Sequence, residues 1–271
     1  MRIALIQMDV FAGNEEANRK TALSAIRGAS RGGADLVLLP ELWNAGYVWR
    51  EEGAYRGSRD PGDFAVDFAS PGGLAADLAS AARENGIWVA AGSVPEVAGE
   101  GIYNTTAVFD TAGELVHRYR KVHLIGLMDE HRHLVPGEDC DTFDLDGIPT
   151  GVFICYDLRF PELARTLFVA GAKLLLVPAQ WPSARSDHWR ALLIARAIEN
   201  QCFVAACNRV GQGGPDTFDG GSMVVDPTGE VLVEGDSRPA VLFADLDFDL
   251  VERIRGILPC QLDRRPEVYR L

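Results

Sequence analysis

"GADLVLLPELW" (33–43) and "GAKLLLVPAQW" (171–181) are near copies of one another in opposite halves of the chain. Each is an apolar run of strand length that reaches a proline and then a turn. An unbroken apolar run of this kind reads as a strand buried on both faces. Working outward, "NGIWVAA" (85–91) matches "NQCFVAA" (200–206), and "DTAGELV" (110–116) matches "DPTGEVL" (226–232). More weakly, "IALIQMD" (3–9) matches "GVFICYD" (151–157). The matches fall in the same order in both halves, so the pattern predicts a duplicated architecture. The elements fit it. Arg2–Gln7, Leu36–Leu39, Ile87–Ala91, Gly151–Ile154, Leu174–Val177 and Phe203–Ala206 read as strands. Glu15–Ser30, Leu74–Asn85, Pro161–Ala170 and Asp187–Asn200 read as helices between them. The expected fold class is α/β, with two similar sheets face to face and helices outside, a four-layer αββα sandwich over one domain, residues 1–271.

The chain has 271 residues, 47% of them apolar, enough for a sizeable core. No apolar run approaches the roughly 20 residues of a membrane span. The N-terminus "MRIALIQMD" turns polar too soon for a signal peptide, so a cytoplasmic location is expected. Five cysteines without a CxxC suggest neither a disulfide framework nor a zinc knuckle. A net charge of −13 argues against nucleic acid and anionic membranes as partners. It leaves room for a small anionic substrate, because a local Arg or Lys can still hold one.

The repeat acts as an internal control. Glu41 stands where the second half has Ala179, and Cys155 where the weak match puts Gln7. Neither turn therefore requires an acid or a thiol for its geometry. Both residues, and Lys121 after "ELVHRYR", follow strand-like runs, and ligands of α/β folds collect at the carboxyl ends of strands. Cys155 is a candidate nucleophile, Glu41 a candidate base, and Lys121 a candidate cation facing an oxyanion. Each has an ordinary alternative: a buried small hydrophobe, a turn glutamate, a solvated lysine in a basic stretch. A Cys–His dyad is the rival arrangement, but none of His117, His123, His131, His133 and His188 stands out as its partner. "HRH" (131–133) offers two metal-ligand types with no evident third.

Together, "LLPELW", "YRKVHL" and "ICYDLRFPE" resemble the three signatures of the nitrilase superfamily of carbon–nitrogen hydrolases. The likeness runs from "RIALIQ" to "DRRPEVY" (263–269). It implies the αββα sandwich, a triad of Glu41, Lys121 and Cys155, and no metal or organic cofactor. "EHRHLVPGE" places the family's second glutamate at Glu130, where it would orient Lys121. The backbone N–H of Tyr156 would help hold the oxyanion, with Tyr47 and Trp181 as pocket walls and Arg159 close to the nucleophile. The long segments around Lys121, Cys155 and Trp181 are most similar to the omega-amidase branch. That branch implies a small primary amide and water as the partners, 2-oxoglutaramate for instance, hydrolysed through a thioester. Deaminated glutathione amidase, N-carbamoyl amide hydrolase, nitrilase, an ammonia-donating domain and a non-catalytic binding module on the same fold are the alternatives. The family also implies a homo-oligomer, at least a homodimer, with "RRPEVYRL" as a candidate contact. The extra segment of the first half, about Asn44–Pro71, is expected to be a loop at the site.

Overall fold

The structure, a computed structural model, describes residues 1–50, 55–57, 59–70 and 72–269. The first half supplies β1 (Arg2–Gln7), β2 (Leu36–Leu38), β3 (Trp88–Ala90), β4 (Val94–Ala98), β5 (Gly101–Phe109) and β6 (Leu115–Arg120). The second supplies β7 (Thr142–Leu145), β8 (Ile148–Val152), β9 (Leu174–Ala179), β10 (Phe203–Asn208), β11 (Val210–Gly213), β12 (Asp216–Asp219), β13 (Met223–Val225) and β14 (Val231–Glu234). A last strand, β15 (Ala240–Asp245), returns from the second half to pair antiparallel with β1.

Two large sheets result. One runs β15–β1–β2–β3–β5–β4, with β6 also on β5; the other runs β14–β13–β10–β9–β8–β7. The path β15–β1–β2–β3–β5–β6 repeats as β7–β8–β9–β10–β13–β14, with the same mixture of parallel and antiparallel pairs. Leu36 pairs with Trp88 in one sheet and Leu174 with Phe203 in the other, as the sequence repeat requires. The two hairpin turns are also copies. Asp110 Oδ1 accepts from the N–H groups of Ala112 and Glu114, and Asp226 Oδ1 from those of Thr228 and Glu230. Each turn places a glycine at positive φ, Gly113 at 80° and Gly229 at 91°.

Alternation along the strands builds the layers. Ile3, Leu5, Leu36 and Leu38 enter a core shared with Val152, Leu174, Leu176 and Val204 of the other sheet. Ala4, Ile6 and Val37 point the other way, toward Ala22 and Ile26 of α1 (Glu15–Arg31) and Leu78 of α2 (Gly73–Asn85). α1 starts where Asn14 accepts from the Ala17 N–H, and it buries Asn18, Ala22, Ile26 and Ala29 on one stripe. A four-residue turn, α3 (Glu130–His133), leads toward β7; α4 (Pro161–Val169) and α5 (Ser186–Asn200) cover the second sheet, and α6 (Asp249–Ile257) follows β15. The result is the four-layer αββα sandwich. Among the described residues no helix is long and apolar enough to cross a membrane.

The weakest sequence match is corrected by one residue. β1 aligns Ile3 with Leu36, whereas β8 aligns Thr150, not Gly151, with Leu174. Continued along the chain, this register makes Met8 rather than Gln7 the counterpart of Cys155. A one-residue slip would turn every side chain to the wrong face. In the observed register Leu5 and Val152 both enter the core between the sheets. The strand expected over Gly151–Ile154 also ends at Val152, because the chain must bend early to present Cys155.

Candidate active site

The polar groups cluster where strands end. Beyond β2 the chain passes Pro40 into Glu41. Beyond β6 it passes directly into Lys121. Beyond β8 it enters a short turn, Cys155–Arg159, that leads into α4. Glu41, Lys121 and Glu130 are all fully buried, and Cys155 is 3% exposed. Buried charges persist only when paired and hydrogen-bonded, and these are. Lys121 Nζ donates to Glu41 Oε1 at 2.7 Å and to Glu130 Oε2 at 2.8 Å. Burial alone would depress the ammonium, but the Glu130 and Glu41 carboxylates overrule it and hold Lys121 above its usual range. Burial raises Glu130, against the pull of Lys121. Glu130 Oε2 also accepts from the Ile125 N–H at 2.8 Å, which fixes the segment between the lysine and α3.

Asn104 of β5 bridges the two carboxylates. Its amide nitrogen lies 2.9 Å from Glu41 Oε1 and 3.0 Å from Glu130 Oε1. The Tyr47 hydroxyl stands 2.9 Å from the same two oxygens. Tyr47 was expected on the pocket wall; instead it is buried inside the carboxylate cluster, where its hydroxyl shares the Lys121 partners. The described part of segment 44–71 does reach the site. Tyr47, Trp49 and Tyr55 pack with Leu42, Met128 and Phe218. Residues 51–54, 58 and 71 of that segment lie outside the described residues. His133 stacks on Trp49 with ring centroids 4.5 Å apart.

The thiol is presented by an uncommon backbone. Cys155 has φ +46°, the left-handed region that non-glycine residues occupy at a cost of about 1–3 kcal/mol. The surroundings fix it there. The buried Asp157 carboxylate accepts from the Ile154 N–H at 3.0 Å, from the Tyr119 hydroxyl at 2.7 Å and from the His123 N–H at 2.9 Å. It thereby ties the thiol turn to residues on both sides of Lys121. Cys155 Sγ lies 3.7 Å from the Gln180 carbonyl oxygen. Burial pushes the thiol well above its ordinary range and the Glu41 carboxylate pushes further, with Lys121 opposing. These groups hold the sulfur toward its neutral form.

Cys155 opens onto a cavity of about 300 Å³. Ile125, Met128 and Trp181 give it apolar walls, and Tyr156, Arg159, Arg185 and His188 also line it. Arg159 lies over the Trp181 ring at 4.6 Å. Trp181 is thus on the pocket, while its repeat partner Trp43 is wholly in the core and donates to the Ala91 carbonyl. Sequence reading missed Asn104, Asp157, Gln180 and Arg185, and set His188 aside. Asp157 stands inside the nucleophile motif, and Gln180 at a mismatch of the repeat, opposite Leu42. Asn104 carries no local signal, because β5 reads as an ordinary strand.

The model of the carbon-nitrogen hydrolase family matches residues 2–256. The chain is 39% identical over 271 residues to the 2-oxoglutaramate amidase of Bacillus subtilis (strain 168), covering 98% of each chain. A CN-hydrolase superfamily protein from Xanthomonas campestris, with an arsenic adduct in its active site, superposes with a TM-score of 0.87 at 31% identity, over 100% of this chain and 98% of that one. A mutant of the amidase from Nesterenkonia sp. AN1, with acrylamide added at its active-site cysteine, superposes with a TM-score of 0.80 at 33% identity, over 96% and 98%. A chain with this sandwich, matched by the family model almost end to end, belongs to the nitrilase superfamily of carbon–nitrogen hydrolases and is an enzyme of carbon–nitrogen bonds.

Proposed function

We propose that the protein releases ammonia from a small primary amide that carries a carboxylate, an omega-amide of a 2-oxo acid such as 2-oxoglutaramate. The observation that carries this reading is the cavity itself. Cys155 lines it, and so do two guanidiniums, Arg159 and Arg185, neither of which has a carboxylate in ion-pair range among the described residues. In a chain with 39 acidic and 26 basic residues, two such arginines at one small opening fit an anionic ligand. The 2-oxoglutaramate amidase of Bacillus subtilis, 39% identical, supports the same substrate.

Glu41 takes the thiol proton as Cys155 attacks the amide carbon. The carbonyl electrons move to oxygen, held by Lys121 and the Tyr156 N–H. Glu41 returns the proton to nitrogen, the C–N bond breaks, and ammonia leaves a thioester. Glu41 then takes a proton from water as the water attacks. The C–S bond breaks, and the sulfur regains its proton. Glu130, Asn104 and Tyr47 hold Lys121 and Glu41 in place. The five free thiols fit a reducing, cytoplasmic setting, and a homodimer is the expected assembly.

The test is a panel of amide, N-carbamoyl and nitrile substrates assayed by ammonia release. 2-Oxoglutaramate should lead, and Cys155→Ala should abolish its turnover in a folded protein. Turnover that survives in Cys155→Ala removes the thioester. A preference for nitriles or carbamoyl compounds moves the enzyme to another branch.

A further inference from the structure

Gln180 is fully buried and touches both members of the reacting pair. Its backbone N–H donates to Glu41 Oε2 at 2.8 Å, and its backbone carbonyl faces the Cys155 sulfur. Its side chain closes the arrangement. Nε2 donates to the Glu41 backbone carbonyl at 2.7 Å, and Oε1 accepts from Arg209 Nη1 at 3.3 Å. Only one orientation of the amide satisfies a carbonyl and a guanidinium together, so the side chain is locked. Arg209 is itself fixed. Nη2 donates to Asp9 Oδ1 at 2.9 Å and to the Gln212 carbonyl at 2.9 Å, and Nε donates to the Val210 carbonyl at 3.0 Å.

These contacts join the two halves. Glu41 follows β2 in one sheet and Gln180 follows β9 in the other, and the Glu41 N–H also reaches the Ala179 carbonyl at 3.3 Å. The two repeated turns therefore meet face to face, and the asymmetry between them is chemical. The first half has Leu42 at the matching position, which can form none of the side-chain bonds of Gln180. We propose that Gln180 is a positioning residue: its side chain, braced by Arg209 and Asp9, sets the Glu41 carboxylate against the Cys155 thiol across the two sheets. The inference rests on the reading of Glu41 and Cys155 as base and nucleophile.

Gln180→Leu installs the residue of the first half and removes only the brace. With 2-oxoglutaramate its KM should stay within about threefold of wild type while kcat falls roughly 30- to 100-fold, as a displacement of reacting groups by a fraction of an ångström predicts. Alkylation of Cys155 by iodoacetamide, read by mass spectrometry, should slow about tenfold at pH 7. The deficit should narrow as pH rises, because hydroxide takes over from Glu41 in removing the proton. A loss of packing alone would slow it at every pH. Asp9→Asn removes the charge of a side chain about a third exposed and keeps its Oδ1 as an acceptor for Arg209. It should lower kcat about three- to tenfold, with no further loss in the double variant with Gln180→Leu. A folded Gln180→Leu enzyme with kcat within twofold of wild type overturns the proposal. So does an alkylation deficit equal at all pH, or losses that multiply in the double variant. If Gln180→Leu fails to fold, unchanged kcat in Asp9→Asn overturns it. A wild-type enzyme that neither releases ammonia nor alkylates at Cys155 removes the amidase reading, and the inference with it.

Discussion

Replacing Lys121 by methionine separates the structural role of the buried ammonium from its chemical one. The side chain keeps its length and loses its charge, which leaves Glu41 and Glu130 facing each other. Both Oε1 atoms lie 2.9 Å from the Tyr47 hydroxyl, so they are within about 6 Å of one another. Two unit charges at that distance repel by about 3 kcal/mol at an effective dielectric of ~20. Removing one partner of a buried ion pair costs ~3–5 kcal/mol by the same logic. For a chain of this size that lowers the melting temperature by roughly 10 °C near pH 8. At pH 5 the loss should shrink, because one of the two carboxyls takes up a proton. Its folded pKa then lies above its unfolded one, so its contribution is present at low pH and lost as pH rises through the folded value. Adding Glu130→Gln removes the repulsion and should restore most of the stability at pH 8. It should restore none of the amidase activity, since the cation proposed to face the oxyanion is still missing. Thermal unfolding at pH 5 and pH 8, beside ammonia release, reads all of this. A Lys121→Met protein as stable as wild type at pH 8, or a double variant that regains turnover, would refute the reasoning.

Other predictions are simpler. Arg185→Gln should raise KM for 2-oxoglutaramate about 10- to 100-fold, the worth of one charge-assisted hydrogen bond, and leave an uncharged amide such as butyramide nearly unaffected; equal effects on both would remove Arg185 from substrate recognition. Gly92→Ala should cost several kcal/mol in urea unfolding and most of the activity, because Gly92 has φ +62° and an added Cβ would meet the Pro40 carbonyl oxygen at 2.0 Å, directly beneath the Glu41 turn. A wild-type midpoint would contradict that close approach. His117, half-buried with no partner for Nε2 among the described residues and stacked on Phe143, is held below its usual pKa by burial. The unfolded chain then binds the proton more readily, so stability should fall as pH drops below about 6.5, and His117→Phe should flatten that slope in melting temperature against pH.

Much of this protein is legible in its sequence because the physics there is local. Strand-length apolar runs, the Asp-x-x-Gly turns and the short matched segments of the repeat require neighbours only a few residues away. They delivered the elements, the two-sheet plan and the family motifs that single out Glu41, Lys121, Glu130 and Cys155. What the sequence could not supply is register and convergence. Met8 rather than Gln7 is the counterpart of Cys155 in the repeat, because only the pairing of β1 with β2 and of β8 with β9 fixes the register. Tyr47 belongs with the carboxylates rather than on the pocket wall, because burial and hydrogen-bond partners depend on residues such as Asn104 and Glu130, distant in the chain. Asp157 and Gln180 gain their positions only when the ends of β6, β8 and β9 come together around β2. The sequence by itself determined which residues bear charge and a thiol. The tertiary structure decided which of them are stripped of water together, and in a buried site that is what makes a carboxylate, an ammonium and a thiol act on one another.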